Sequence, residues 1–274
     1  MGEIRDRMTE DLRLAGYAAS TRRIYLLYAR KFAQYFGRSP EIMGETELRR
    51  YFLYLLDERK LSHDAYRQAY SSLKFLYTVT LKRPFEIVCL PRQRSPHPLP
   101  SVLSGSEVRE LLAHFSSHKY RVIAMALYGA GLRVSEACRL RIRDIDSRRM
   151  LIHVREAKYH KDRFVTLSKR FLEALRVYWR VERPPDYLFP GKTMSGYVAT
   201  DSVRKAVSLA ARDAGIKKRV TPHLLRHRFA THLLETGTDI EIIRALLGHK
   251  DIRTTTLYSK ATRRAICRVR VPLD

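Results

Sequence analysis

The sequence predicts a mainly α-helical protein of two domains, the second of which contains a small antiparallel β-hairpin or sheet. Four amphipathic segments fill the first 90 residues, a proline-rich stretch follows, and one alternating segment lies among later helical ones. A chain of 274 residues is long enough for two domains that each bury a core. We therefore predict a helical domain at 1–90, a linker at 91–102 and a second domain at 103–274.

The segments of the first domain have the spacing of amphipathic helices and lie at about 3–15, 20–36, 46–59 and 64–80. Ser20 is the predicted N-cap of the second segment, and Gly37 its end. In the fourth segment an apolar stripe predicts a helical core, formed by Tyr66, Tyr70, Leu73 and Leu76. Arg67 and Lys74 lie on another side, where they are candidates for phosphate contacts.

A basic linker is expected next, because four prolines fall within residues 91–100 beside Arg92 and Arg94. Proline removes a backbone donor and disfavours helix in the residue before it, so the stretch is predicted to be extended. Ser104 and Glu107 then have capping-box spacing and open the first helix of the second domain.

The second domain continues with a helix, a break at two glycines and another helix that begins near Arg133. The segment MLIHVREA alternates as a strand does, and RFVTL is its expected partner across the turn KYHKD. Helices are then expected at about 168–181 and 200–214.

Residues 221–258 carry unusually clear helix boundaries. Thr221 and Pro222 are expected to start one helix, and Gly237 is expected to end it. Thr238 and Glu241 have capping-box spacing at the start of the next helix, which is expected to end at Gly248. A last helix from about Asp251 is expected to carry Tyr258.

The net charge predicts a polyanionic partner. The chain has 53 Lys and Arg against 28 Asp and Glu, a formal net charge of +25. Nucleic acid is the commonest polyanion that such an excess attracts, although a solvated basic surface or a chromatin-like protein would share it. Residues 1–90 hold 16 basic and 11 acidic side chains, so most of the excess lies in the second domain. Weak candidates for phosphate contacts are Arg92, Arg94, Lys161, Lys217 and Lys218.

Cysteine usage and the N-terminus argue for a reducing compartment. Cys89, Cys138 and Cys267 share no CxxC spacing, so neither a disulfide framework nor a Cys-based zinc site is expected. The N-terminus lacks an apolar signal core, and no apolar run approaches ~18 residues, so neither secretion nor membrane insertion is expected.

Five groups around one tyrosine suit the attack of a phenol on a DNA phosphodiester. That attack gathers negative charge on the non-bridging oxygens, and arginine suits them because its planar fork donates two hydrogen bonds and stays charged. Arg133 and Arg226 are the candidate pair, and Arg226 follows His223 by three residues on the same helical face. Tyr258 is the candidate nucleophile, which would form a phosphotyrosine and free a 5′-hydroxyl.

The remaining groups would move protons and support the phosphate. Lys158, on the expected hairpin, is the candidate general acid for the departing 5′-oxygen, and His223 the candidate acceptor of the phenolic proton. His249 could donate a further hydrogen bond. Because a phosphotyrosine stores the energy of the broken bond, no metal, ATP or other cofactor is expected.

Taken alone, each residue also has a simpler interpretation. Arg133 could pair with Glu136 at i,i+3, and the histidines could be surface or core residues. A zinc site on His223, His227 and His232 is disfavoured, because residue 224 is leucine where such sites have glutamate, and His232 turns off the shared face. The specific signal is the ordered combination GLRxSE, AKxxKDR, HxLRHxFATHL and LLGHxDIxTTxxY.

These four stretches closely resemble the motif boxes of the tyrosine recombinase (phage integrase-like) family, over about residues 102–274. The resemblance implies a two-domain DNA clamp with a helical, SAM-like core-binding first domain. Matched box by box, the catalytic residues would be Arg133, Lys158, His223, Arg226, His249 and Tyr258, with Glu136 in a supporting role. The implied reaction is strand exchange between two double-stranded DNA sites, through a Holliday junction, by a synaptic homo-tetramer in the cytoplasm at the bacterial nucleoid.

Several alternatives stay open at this point. The hairpin lacks the glycines that flank the lysine in many relatives, so Lys161 is an alternative to Lys158. Xer-like, integron-like and transposon-borne enzymes are not separated, and an accessory protein of unknown identity is not excluded. A type IB topoisomerase is the nearest rival, which the clamp-sized first domain and the short chain weigh against. A catalytically silent DNA-binding relative is disfavoured because every catalytic-type position is filled.

Overall fold

The computed structural model describes residues 2–86, 103–157, 161–192, 196–248 and 273, and the chain divides into two compact units, Met1–Pro98 and Leu99–Asp274. Helices dominate both units, and the second also contains a three-stranded antiparallel sheet. This architecture confirms the predicted fold class.

The first unit is helical throughout its regular structure. Its helices are α1 (Gly2–Leu14), α2 (Ala19–Phe36), α3 (Glu45–Asp57) and α4 (His63–Phe75), with a 3-10 turn at Pro40–Ile42 and a π-helical turn at Leu76–Thr80. All four helices lie where the amphipathic spacing predicted them. The prediction of Ser20 as N-cap was wrong: Ala18 occupies that position, because alanine at 19 already favours helix and starts α2 one residue before the serine.

The predicted core of this unit is confirmed. Tyr66, Leu73 and Leu76 are buried, and Tyr70 packs against the same cluster. Lys74 is exposed on the other side of α4. Gly37 ends α2 with φ of +63°, in the left-handed region that glycine adopts at little cost.

The second unit surrounds a buried helix. Its helices are α5 (Gly105–Ala113), α6 (His118–Gly129), α7 (Val134–Cys138), α8 (Lys169–Glu182), α9 (Thr200–Asp213), α10 (Pro222–Glu235) and α11 (Ile240–Leu247). From Val122 to Gly129 every residue of α6 is buried, because that stretch is apolar on all sides and α8, α9 and α10 pack around it. Ser104 caps α5 and forms the predicted capping box with Glu107.

The sheet has the order β1-β2-β3, and all its pairs are antiparallel. The strands are β1 (Ile145–Asp146), β2 (Leu151–Ala157) and β3 (Lys161–Thr166). β2 and β3 form the predicted hairpin, whereas β1 was not predicted because two residues are too short for an alternation signal. Val154 pairs with Arg163, and the register shifts between Val154 and Ala157.

The boundaries of α10 and α11 follow the sequence with one correction. Thr221 caps α10 and accepts from Leu224 N–H, and Gly248 ends α11 with φ of +62°. The N-cap of α11 is Asp239 and not Thr238: its carboxylate accepts from Glu241 N–H at 2.7 Å. Aspartate is the better capping residue of the two.

Several predicted features lie outside the described residues. These are the linker at 91–102, the hairpin turn with Lys158, and the last helix with Tyr258. Within the described part of the chain, no helix is both long and apolar enough to cross a membrane.

Candidate active site

The carboxylate of Glu136, on α7, is the centre of a buried cluster of charges. Arg133 and Arg163 each donate to both of its oxygens, at distances of 2.7–2.9 Å. Arg226 Nη1 lies 3.7 Å from Glu136 Oε2. An ionised carboxylate has about four lone-pair sites, and the hydrogen bonds from Arg133 and Arg163 fill that number. Three guanidinium groups thus surround one carboxylate, which leaves a surplus of positive charge.

Arg133 is placed by the start of α7. It is the N-cap residue, and its backbone N–H donates to Glu136 Oε2 at 2.8 Å while its side chain donates to Oε1 at 2.8 Å. The side chain of Glu136 therefore caps its own helix and orients the arginine that precedes it. The i,i+3 pairing that the sequence allowed is present, and it forms part of the cluster.

Arg226 projects from α10 into the interior. Its side chain is 5% exposed, against 27% for Arg133, and it donates to the carbonyls of Gly131 and Leu247 at 2.5 Å each. Gly131 has φ of +62°, and a Cβ at this position would lie 2.5 Å from the ring of Phe229. Only glycine fits this turn, and the turn directs the Gly131 carbonyl towards Arg226.

Arg163 is a member of the cluster that the sequence analysis missed. It lies on β3, its side chain is 9% exposed, and it forms a bidentate pair with Glu136. A signal for it existed: Arg163 alternates with Val165 and Leu167, both buried, so it occupies the buried face of the strand. An arginine on such a face needs an anionic partner.

The C-terminal end of α11 completes the site. Three consecutive carbonyl oxygens there each accept from one arginine. Leu246 accepts from Arg163 at 2.9 Å, Leu247 from Arg226 at 2.5 Å and Gly248 from Arg133 at 3.1 Å. The last carbonyls of a helix have no partner within it and carry its negative dipole end, so cations are favourable there.

The electrostatics of the cluster favour an additional anion. Burial by itself would raise the pKa of Glu136, but the hydrogen bonds and charge of Arg163, together with the hydrogen bonds from Arg133, hold the pKa at about 2. Burial, together with the charge of Arg133, lowers the pKa of Arg226 to about 10. The surplus positive charge therefore disfavours the charged form of Arg226, and a bound anion would stabilise that form.

The other predicted site residues are placed as follows. His223 is exposed on α10, one turn before Arg226. Lys217 is exposed, and Lys218 Nζ donates to Glu107 Oε2 at 2.8 Å. Arg92, Arg94, Lys158, His249 and Tyr258 lie outside the described residues, as does the side chain of Lys161.

Comparison with known proteins shows where the chain belongs. The model of the Phage integrase family matches residues 101–264, and that of the Phage integrase N-terminal SAM-like domain matches residues 4–87. The chain belongs to the phage integrase family. It is thus a member of the tyrosine recombinases, as the motif boxes predicted.

Individual integrases and recombinases are similar to this chain over most or all of its length. A putative integrase/recombinase, y4qK, of Sinorhizobium fredii is 39% identical over 100% of this chain and 89% of its own. Tyrosine recombinase XerA of Thermococcus onnurineus is 35% identical, over 92% of this chain and 88% of its own.

Solved structures of tyrosine recombinases share the fold. The crystal structure of XerA recombinase matches with a TM-score of 0.53 and 29% identity, over 96% of each chain. The Tn1549 transposon integrase in complex with circular intermediate DNA matches with a TM-score of 0.68 over 96% of this chain and 97% of that one. At 20% identity, this second likeness shows the fold alone.

Proposed function

We propose that this chain is a site-specific DNA recombinase that cleaves and rejoins double-stranded DNA through a covalent phosphotyrosine. The observation that carries the proposal is the pair Arg133 and Arg226, held around Glu136 with a surplus of positive charge. Each guanidinium has five N–H donors. Each donates two of them to the partners described above, which leaves donors to bind the non-bridging oxygens of a phosphodiester.

The proposed nucleophile is Tyr258. Its phenolic oxygen bonds to phosphorus as the bond from phosphorus to the 5′-oxygen breaks, so the DNA 3′-phosphate becomes linked to the protein. His223 accepts the phenolic proton, and Lys158 donates a proton to the 5′-oxygen, with Lys161 as the alternative donor. His249 supports the phosphate. The 5′-hydroxyl of a second strand reverses these steps, so each bond that breaks is replaced by an equivalent one, without ATP.

The proposed division of labour follows the two domains. Residues 1–90 form the core-binding domain, 91–102 a linker with Arg92 and Arg94 near phosphates, and 103–274 the catalytic domain. The separate family matches at 4–87 and 101–264 support this division. Lys217 is the exposed candidate for a further phosphate contact, whereas the ion pair of Lys218 with Glu107 makes it a weaker one.

The proposed partner is a pair of DNA sites held by four copies of the chain. Structures with this fold include XerH recombinase bound to its difH substrate and a lambda integrase dimer bound to a COC′ core site. Exchange of all four strands between two sites requires four nucleophiles, and hence a homo-tetramer with a Holliday junction between its two rounds of cleavage. The proposed location is the cytoplasm, at the nucleoid, where such DNA lies.

A covalent-trapping assay tests the proposal. Supercoiled DNA that contains the regions flanking the protein's own gene is incubated with protein in EDTA and quenched with detergent. We expect protein-linked, nicked DNA with the wild type and none with Tyr258→Phe, because phenylalanine keeps the ring and lacks the attacking oxygen. An adduct that persists in Tyr258→Phe would contradict the choice of nucleophile. Relaxation of supercoils without strand exchange would instead assign a type IB topoisomerase activity.

A further inference from the structure

We propose that Arg163 is a positioning residue of strand cleavage, which holds Glu136 and the end of α11 so that Arg133 and Arg226 face the phosphate. The inference rests on the proposed function and adds to it a residue with no direct part in the chemistry. It also assigns a task to the C-terminal end of α11.

The contacts of Arg163 differ in kind from those of the other two arginines. Each of its three side-chain nitrogens donates to the protein: Nη1 and Nη2 to the two oxygens of Glu136, and Nε to the carbonyl of Leu246. The side chain is 9% exposed. A guanidinium that is buried and bonded on all three nitrogens acts through the groups that it holds.

The first of these groups is the carboxylate of Glu136. Arg163 supplies two of the four hydrogen bonds that this carboxylate receives from Arg133 and Arg163. Without these two hydrogen bonds the carboxylate could rotate about the bonds of its side chain. Because Glu136 also orients the backbone and the guanidinium of Arg133, that rotation would turn Arg133 away from its present direction.

The second group is the end of α11. Arg163 binds the carbonyl of Leu246, and the next two carbonyls bind Arg226 and Arg133. Gly248 permits this contact, since a Cβ there would lie 3.1 Å from Arg163 Cδ. The stem of Arg163 therefore packs against the residue that ends the helix, and one side chain fixes a surface on which both phosphate-binding arginines rest.

The charges around Glu136 make removal of Arg163 detectable through pH. The carboxylate faces Arg133 at the start of α7, Arg163 on β3 and Arg226 on α10. It also borders a cavity of about 350 Å³ whose other charged residues are Arg139, Arg141, Arg143, Asp144, Arg155 and Asp162. Since burial alone raises the pKa of Glu136 and Arg163 opposes this most strongly, the loss of Arg163 should bring the pKa of Glu136 towards the working range.

The test measures cleavage and binding separately, on the DNA fragment recovered by the trapping assay. The variants are Arg163→Gln, Arg163→Lys, Glu136→Gln and the double variant Arg163→Gln/Glu136→Gln. Arg212→Gln on α9 is the matched control, because it removes the same charge from a side chain that is 74% exposed. Adduct formation is followed under single-turnover conditions with saturating protein, from about pH 5 to 9, and binding by gel shift. Thermal unfolding shows that each variant folds.

We expect Arg163→Gln to bind DNA as the wild type does and to cleave about 10- to 100-fold more slowly, the cost of a small misplacement of catalytic groups. The loss should be larger at low pH than at high pH, because Glu136 then becomes protonated. Arg163→Lys should recover part of the rate, since it restores the charge and not the bidentate pair. The double variant should cleave no more slowly than Glu136→Gln alone, because the two residues act as one unit.

Two results would overturn the inference. One is an Arg163→Gln variant with a normal rate and pH profile per folded molecule, which would make Arg163 purely structural. The other is a double variant in which the two losses multiply. A wild type that forms no adduct would instead refute the proposed function, and an adduct with Tyr258→Phe would contradict the choice of nucleophile, so these failures are distinguishable from that of the inference.

Discussion

At the scale of single residues, Glu136 shows how one carboxylate can organise a cationic site. Its side chain is 6% exposed and pairs with Arg133, the N-cap residue of α7, and with Arg163 on β3, while Arg226 of α10 lies 3.7 Å away. A buried ion pair contributes little net stability compared with an apolar core, but the removal of one partner leaves the others uncompensated. Glu136 therefore fixes the arrangement of the arginines around it, although the buried charges themselves add little to stability.

Stability should depend on Glu136 in a pH-dependent way. Its pKa of about 2 in the folded protein is lower than the usual value for glutamate. A depressed pKa means that the carboxylate stabilises the fold above its usual pKa and loses that effect as the pH falls through about 4.3 towards 2. We expect Glu136→Gln to lower the free energy of unfolding by roughly 3 kcal/mol at pH 7, and by progressively less below about pH 4.5.

Urea unfolding at several pH values would measure this difference. Glu110→Gln is the control, because its side chain on α5 is 64% exposed. A deficit for Glu136→Gln that stays constant from pH 7 to pH 3 would contradict the assignment of the depressed pKa to this carboxylate.

At the scale of secondary structure, helix ends and tight turns do the positioning. The C-terminal end of α11 offers three carbonyls to three arginines, and the turn before α7 offers a fourth, from Gly131. Each of these acceptors is a backbone carbonyl, so its position is set by the helix end or the turn to which it belongs. From the sequence, Gly131 lies in a break between two helices and Gly248 ends a helix, but neither position shows that the carbonyl of that residue binds an arginine.

Alanine at residue 131 should damage both fold and activity. Gly131 has φ of +62°, and an added Cβ would meet Phe229 at 2.5 Å. Gly215 is a matched control, with φ of +68° and no atom within 4 Å of an added Cβ. Both variants incur the backbone strain, of about 1 kcal/mol or more. We expect Gly131→Ala to be destabilised further and to cleave DNA more slowly, because the carbonyl that holds Arg226 moves.

Thermal unfolding of the two alanine variants would separate strain from contact. Equal decreases in melting temperature would show that the Phe229 ring moves aside without a further loss of stability. A normal cleavage rate in folded Gly131→Ala would show that the carbonyl of this residue does not position Arg226.

At the scale of the whole molecule, charge and family membership point the same way. A formal net charge of +25 predicts attraction to nucleic acid, and the chain belongs to a family of DNA recombinases. Each unit has its own hydrophobic core, so each can present its basic residues to DNA from a stable scaffold.

Affinity for DNA should therefore fall steeply with salt. A protein that makes 6–10 phosphate contacts loses about 10³- to 10⁵-fold in affinity between roughly 50 and 200 mM salt. Binding releases counterions from the DNA, and this release contributes less free energy when the salt concentration is higher. We expect a loss in this range for a DNA fragment with the recombination site. Fluorescence anisotropy over a salt series would give the slope.

The cleavage rate of the preformed complex provides the internal control. At saturating protein it should change far less than the affinity, because the cluster around Glu136 is buried and poorly screened. An affinity that is independent of salt would contradict a phosphate-dominated interface.

The sequence by itself determined the fold class, most helix boundaries and the family, because these depend on local periodicity, capping residues and ordered motifs. It also brought Arg133, Arg226 and Glu136 to attention. The tertiary structure decided how they meet. Arg133 binds the carbonyl of Gly248 across 115 positions of the chain, and Arg163 reaches Glu136 from 27 positions away. No local pattern encodes such contacts. The partner of a buried arginine on a strand is known only once the strand is seen to pack against the helix that carries that partner.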